Sequence, residues 1–189
     1  MLICDGFVKD RKLLQDLRDV DMWKGIPAYN WWSGWWRSPP SNPLEETIQS
    51  IWQGQIPEDE IAGFEYWFNA LTENRTLDWH RDCDEALRRR EGRYVCPVLG
   101  NVYYVIVKDV VGGFLELSDQ TDIDGVEESE LERIKPVENR LVIFNPSLFH
   151  RVSRLVRGKR LALQVSIWSE KPCTFDLGDR VDQDFQPIA

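Results

Sequence analysis

What most constrains this chain is a change of hydrophobic period near residue 62. Upstream, apolar residues recur at helical spacing. Leu13, Leu14 and Leu17 mark a short amphipathic helix over residues 10–18, and Leu44, Ile48, Ile51 and Trp52 form the stripe of a second. The second helix has a clear start: Asn42 is a good N-cap, Pro43 suits the first turn, and Glu45 stands three residues after Asn42, as in a capping box. Downstream, Phe64, Tyr66 and Phe68 alternate with Glu65, Trp67 and Asn69, as in a strand with one buried face. Residues 102–108, 114–117, 141–144 and 161–168 read as further strands, separated by Gly, Pro and Asn/Asp signals. Strands that follow one another through turns, with no helix between them, pair antiparallel. The expected architecture is therefore mainly β, a sandwich or barrel with helices on one side.

A length of 189 residues fits one domain with a single substantial core. Within it a helical, aromatic-rich part (1–60) precedes the β core (about 62–170) and a C-terminal tail (171–189). Residues 23–40 read as irregular, and the run Trp31-Trp32-Ser33-Gly34-Trp35-Trp36 has two readings, the lining of a substrate cleft or the anchor of a loop. A net charge of −9 disfavours a nucleic-acid partner, because an acidic surface repels phosphate. Cys4, Cys83, Cys96 and Cys173 form no CxxC pair, so neither a zinc site nor a disulfide framework is expected. The absence of a signal-peptide h-region and of a membrane-spanning apolar run makes a cytoplasmic location the expectation, with no membrane partner. The acidic stretch 119–132 is expected to be a solvated loop. With Gly125 in the glycine slot of a calcium loop, the first and twelfth positions are Gln120 and Leu131, which supply no carboxylate.

The chemistry centres on the chain's two histidines, His80 and His150. In extended backbone, residues two apart point to one side, so His80 and Asp82 in Trp79-His80-Arg81-Asp82 can reach one metal together. His150, beyond the 141–144 strand, can close the third corner. Two imidazoles and one carboxylate on one face leave positions open, the arrangement of non-haem iron(II) oxygenases. Arg160 falls ten residues after His150, and a turn at Gly158 would bring its strand back beside the His150 strand as a hairpin. Its planar, permanently charged fork suits a carboxylate. Each feature alone has a plainer reading: His-x-Asp as a surface tripeptide, His150 as a structural histidine, and Arg160 as one more cation beside Arg151, Arg154, Arg157 and Lys159.

Taken in order, His80-x-Asp82, Gly112-Gly113-Phe114-Leu115, residues 140–144, His150-Arg151-Val152 and Gly158-x-Arg160 resemble the prolyl-4-hydroxylase-like branch of the 2-oxoglutarate/iron(II) oxygenases. The resemblance spans residues 62–170 and implies a double-stranded β-helix, a jelly-roll of the cupin-like kind, with flanking N-terminal helices. It implies a dioxygenase using Fe(II), 2-oxoglutarate and O2, which decarboxylates 2-oxoglutarate to succinate and CO2 while oxidising a C–H bond. It further implies metal ligation by His80, Asp82 and His150, and binding of the distal carboxylate of 2-oxoglutarate by Arg160.

Tyr104 shares the parity of Ile106, which stands where these hydroxylases carry a cosubstrate-contacting tyrosine, so Tyr104 is the candidate for that role. Asn69, eleven residues before His80, resembles a 2-oxoglutarate contact of the nucleic-acid demethylase branch. Gln164 and Trp168 share the parity of Arg160, which would place them in the barrel interior. The expected reaction is hydroxylation of a peptide, amino acid or small molecule. The alternatives are a nucleic-acid demethylase with a basic cleft around Arg88, Arg89, Arg90 and Arg93, or a catalytically silent binding module.

Overall fold

Among the residues described by the computed structural model (1–24, 26–27, 29–52, 56–122, 124 and 128–175), ten strands form two antiparallel sheets. In chain order the elements are β1 (Leu2–Asp5), α1 (Arg11–Arg18), α2 (Val20–Lys24), β2 (Tyr29–Trp32), α3 (Pro43–Trp52), β3 (Gly63–Leu71), β4 (Leu77–His80) and α4 (Glu85–Glu91). Then come β5 (Leu99–Gly112), β6 (Leu115–Ser118), β7 (Glu132–Ile134), β8 (Arg140–Phe144), β9 (Phe149–Val152) and β10 (Leu155–Trp168). The major sheet runs β1-β8-β5-β10-β3-β2 and the minor sheet β4-β9-β6-β7, the jelly-roll layout. Gly125, invoked in the calcium-loop comparison, and residues 176–189 of the tail lie outside the described residues.

The helices cover one face of the major sheet. Leu17 from α1, Trp23 from α2, and Leu44, Ile48 and Ile51 from α3 pack against Phe64, Tyr103, Leu163, Val165 and Ile167. Asn42 caps α3, its Oδ1 accepting from the Leu44 and Glu45 amides. The reciprocal bond of the expected capping box lands one residue earlier: Glu45 Oε2 accepts from Ser41 N–H at 2.7 Å instead of from Asn42. Trp32, Trp35 and Trp36 of the tryptophan run belong to this same face, whereas Trp31 pairs with Glu65 and packs on Phe175. Trp32 and Trp35 stack around Phe64, and Trp36 packs on it as well. These rings anchor the β2 segment to the core and do not line a cleft.

The opposite face of the major sheet looks at the minor sheet. Val102, Tyr104 and Ala162 meet Leu115, Leu117, Ile134 and Phe144 between the two sheets. Strand β3 is thus covered on both faces, and the alternating set Glu65, Trp67 and Asn69 lines the space between the sheets.

Two local features depart from the sequence reading. Gly158 makes no turn: β10 runs through it from Leu155 to Trp168, with a register irregularity against β5 between Arg157 and Lys159. Gly158 sits at φ +88°, where a Cβ would meet Lys108 O at 2.3 Å, so a glycine that reads as a turn lies opposite a bulge of β5, with Asp109 and Val110 across from it. As a result β9 and β10 are not a hairpin. They lie in different sheets, and the chain crosses the sandwich between them. The second feature is a bulge in β5, where Leu161 pairs with Ile106 but Ala162 pairs with Tyr104, leaving Val105 extra. The bulge breaks the parity of Tyr104 and Ile106. Ile106 packs on the helix side, whereas Tyr104 faces inward.

Candidate metal and cosubstrate site

His80 ends β4 and His150 lies on β9, directly opposite it in the antiparallel ladder. Cross-strand partners hold their side chains on one face at close range, and the two imidazole centroids are 4.2 Å apart. Asp82 follows β4 in a loop pinned from several sides. Its own amide donates to Pro146 O at 3.1 Å, and the next-but-one amide, that of Asp84, donates to Val95 O at 2.8 Å. Asp82 Oδ1 lies 3.8 Å from His80 Nε2 and 3.6 Å from His150 Nε2. One donor atom from each of the three residues falls within 4.8 Å of the others, close enough to share one ion.

Both imidazoles are oriented in the same way. His80 Nδ1 lies 2.8 Å from Asp78 O, and His150 Nδ1 lies 2.9 Å from Leu148 O. A backbone carbonyl only accepts, so each Nδ1 carries the proton and each Nε2 lone pair turns to the centre, the second-sphere pattern of metal-binding histidine. Burial lowers the His80 pKa, helped by the neighbouring His150. Burial works against charge on Asp82 and His150 too. Their mutual attraction outweighs it, holding the carboxyl below and the imidazole above their ordinary values, with Ser166 also bonded to Asp82. The side chains of His80, Asp82 and His150 are 33%, 14% and 6% exposed, so the centre opens on the His80 side.

Arg160 projects from β10 into the same cleft, which encloses about 810 Å³ between the sheets. It is 2% exposed. Its Nη1 donates to Gly113 O at 3.3 Å, while Nε and Nη2 are buried without a hydrogen-bond partner. The guanidinium carbon stands 5.4 Å from the Tyr104 ring centroid. Burial lowers the Arg160 pKa and raises that of Tyr104, each offset by the other's proximity. Around the guanidinium, Tyr104 Oη, Asn69 Oδ1 and Gln164 Oε1 are also buried without partners. Native interiors rarely leave so many polar atoms unsatisfied, and an unpaired buried cation is costlier still. A dianionic, oxygen-rich ligand reaching from Arg160 toward the imidazole–carboxylate cluster would satisfy this set, and the residues present fit both the divalent ion and 2-oxoglutarate. The structure thus gathers His80, Asp82, His150, Arg160, Tyr104 and Asn69 around one cleft, although the Arg160 strand reaches it across the sandwich and not by the expected hairpin.

Some residues of the site are not evident from the sequence. Glu65, Tyr29 and Ser166 line the cleft. Asp84, 2% exposed, caps α4 by accepting from the Ala86 and Leu87 amides and takes a further 2.6 Å bond from Cys173 N–H. A usable signal precedes α4, since Asp84-Glu85-Ala86-Leu87 is an N-cap followed by an acidic first turn. Glu65 carries no such signal: on an alternating strand its polarity reads as solvent exposure.

Comparison with known proteins agrees with this geometry. The family model described as the 2OG-Fe(II) oxygenase superfamily matches residues 66–168, more than half of the chain, and the chain belongs to that superfamily. It is an iron(II)- and 2-oxoglutarate-dependent dioxygenase. In fold it is similar to a prolyl-4-hydroxylase from Pseudomonas putida, with 18% identity, a TM-score of 0.55, and 90% of this chain and 88% of that one covered. A prolyl hydroxylase from Trichoplax adhaerens, solved with a peptide fragment of the hypoxia inducible factor oxygen degradation domain, gives 14%, 0.55, 92% and 86%. HygX from Streptomyces hygroscopicus, solved with nickel and 2-oxoglutarate bound, gives 12%, 0.53, 88% and 81%. Comparison with curated protein sequences yields no match. No helix among the described residues is long and apolar enough to cross a membrane.

Proposed function

We propose that this dioxygenase hydroxylates a C–H bond of an amino-acid, peptidyl or small-molecule substrate, with His80, Asp82 and His150 as ligands of iron(II) and Arg160 as the anchor of 2-oxoglutarate. The observation that carries the reading is a fully buried guanidinium with two unsatisfied nitrogens in the cleft that holds the three candidate ligands. The bound iron would supply the activation of dioxygen that amino-acid side chains cannot perform. The chain's own residues bind and orient. The Asp78 and Leu148 carbonyls fix the two imidazoles, and Arg160 pairs with the distal carboxylate of 2-oxoglutarate from beneath. Tyr104 and Asn69 offer a hydroxyl and an amide to the same molecule, while Leu115, Phe144 and Val102 keep that end of the cleft dry. Asp82 supplies the carboxylate that halogenating relatives lack, which supports hydroxylation.

The peptide complex of the Trichoplax prolyl hydroxylase supports a peptide among these substrates. The demethylase alternative loses its motive, because Arg88 and Arg89 pair with Glu85, and Arg90 and Arg93 with Glu91. A silent binding module would have no need of three convergent metal-binding groups. The test is succinate formation by iron-loaded protein with 2-oxoglutarate, against prolyl peptides, free amino acids and methylated oligonucleotides. Stimulation by the peptide or amino-acid arm is expected, and stimulation by the oligonucleotides alone would overturn the reading.

A further inference from the structure

The cleft has two poles. Strand β10 places Arg160 near one end and Ser166 six residues along, roughly 20 Å away at the usual strand rise. In the register of β3 against β10, Leu71 stands opposite Arg160 and Glu65 opposite Ser166, so Glu65 marks the pole remote from the cosubstrate anchor. Ser166 also lies close enough to Asp82 to lower its pKa, so Glu65 stands at the metal end of the cleft.

Glu65 is partly buried and has no cation beside it among the described residues. Its Oε2 accepts from Trp168 Nε1 at 2.9 Å, and no ion pair to it is found among the described residues. Tyr29 and Trp67, whose rings lie 5.4 Å apart, face the same part of the cleft. Nearby positive groups are engaged elsewhere. Arg81 rests 4.0 Å above the Phe149 ring and donates to Thr121 O, and Arg89 pairs with Glu85. A carboxylate with no counterion among the described residues, beside two aromatic rings, is chemistry suited to a cation on an apolar stem, since the carboxylate takes the charge and the rings offer apolar contact to the stem. Burial and the nearby Asp82 push the Glu65 carboxyl up to about 8, so at neutral pH it holds a proton that a cationic ligand would displace.

We infer that the hydroxylated substrate carries a basic nitrogen, a primary amine or guanidinium, which Glu65 binds beside the Tyr29–Trp67 ring pair while the adjoining aliphatic carbons lie at the metal. The inference rests on the oxygenase reading above and makes Glu65 a specificity residue of that site. Because Glu65 stands opposite Ser166, six residues along β10 from Arg160, it should select among substrates without touching 2-oxoglutarate.

The experiment uses anaerobic protein loaded with iron(II) and 2-oxoglutarate, and follows the perturbation of the metal-to-ligand absorption band and then succinate formation in air. The probes are L-lysine, L-ornithine, putrescine and agmatine, each paired with its side-chain or terminal N-acetyl derivative, and a lysine hexapeptide paired with its norleucine counterpart. At least one basic member should bind and turn over ten times better than its neutral partner. Glu65→Gln, which keeps the Trp168 hydrogen bond, should erase that preference, and Glu65→Asp should restore part of it, with 2-oxoglutarate affinity within twofold of wild type in both. The inference is overturned if no basic member is preferred, or if the preference survives Glu65→Gln, while 2-oxoglutarate still binds normally. Loss of 2-oxoglutarate and iron binding by the wild-type protein would instead sink the reading on which it rests.

Discussion

Replacing Arg160 with Met separates a cosubstrate anchor from an ordinary core residue, because the two roles predict opposite changes in stability. The guanidinium is 2% exposed, with a single 3.3 Å bond to Gly113 O and no anionic partner. A buried charge in that state costs several kcal/mol, so a side chain of similar length without charge should leave the ligand-free protein at least as stable as wild type. With 2-oxoglutarate present the order reverses. A charge-assisted hydrogen bond contributes about 1.5–3 kcal/mol, which is about ten- to a hundredfold in affinity, and a bidentate pair exceeds that.

In the wild-type protein, 2-oxoglutarate at a hundred times its Kd adds about 2.7 kcal/mol, a rise in Tm of about 5–10 °C for a domain of this size. Arg160→Met should show no more than about half of that rise at the same concentration, and Arg160→Lys an intermediate one, since charge remains but the fork is lost. The assay is thermal unfolding of nickel-loaded protein with and without 2-oxoglutarate, with Arg157→Ala, an exposed strand position, as the control. The reasoning fails if Arg160→Met melts several degrees early without ligand and keeps the full rise with it.

Asp84→Ala removes the α4 cap and leaves the Cys173 amide without its acceptor, so stability should fall by on the order of 2 kcal/mol and Tm by about 4–8 °C; an unchanged melting curve would contradict the positioning role. Asp82→Ala should fold but form no hydroxylated product, and full hydroxylation by that variant would remove Asp82 from the site. Glu65 is protonated in the metal-free fold up to about pH 8 but ionises near 4.5 when unfolded, so its share of stability is fully present below 4.5 and is lost as pH climbs to 8. Metal-free Glu65→Gln should therefore lose less Tm than wild type between pH 5 and 8, and parallel curves would show that the carboxyl is not held protonated.

The sequence exposed the groups whose chemistry is rare and whose spacing is short. Two histidines in the whole chain, one of them two residues from Asp82, leave little choice of metal-binding cluster, and the strand that presents Asp82 and His80 needs only local geometry. Arg160 was reached by a faulty route, since a glycine at positive φ serves a turn and a bulge equally well and only pairing across β5 decides between them. The bulge at Val105, which turns Tyr104 inward and Ile106 outward, is set by pairing with β10 and leaves no local trace. Glu65 was invisible for a related reason. Alternation on β3 shows that two faces differ, but both are buried here, one under helices and one under the minor sheet, and burial of a polar face is decided by elements far away in the chain.

The central claim is that His80, Asp82 and His150 hold iron(II) so that it can take 2-oxoglutarate held by Arg160. The direct measurement is an anaerobic titration of iron(II) and 2-oxoglutarate, following the metal-to-ligand absorption band. One iron per chain and a saturable band are expected for wild type, no band and less than a tenth of the bound iron for His150→Ala and His80→Ala, and a full band for Arg157→Ala. Equal iron binding and an equal band in the wild type and both histidine variants would contradict the claim.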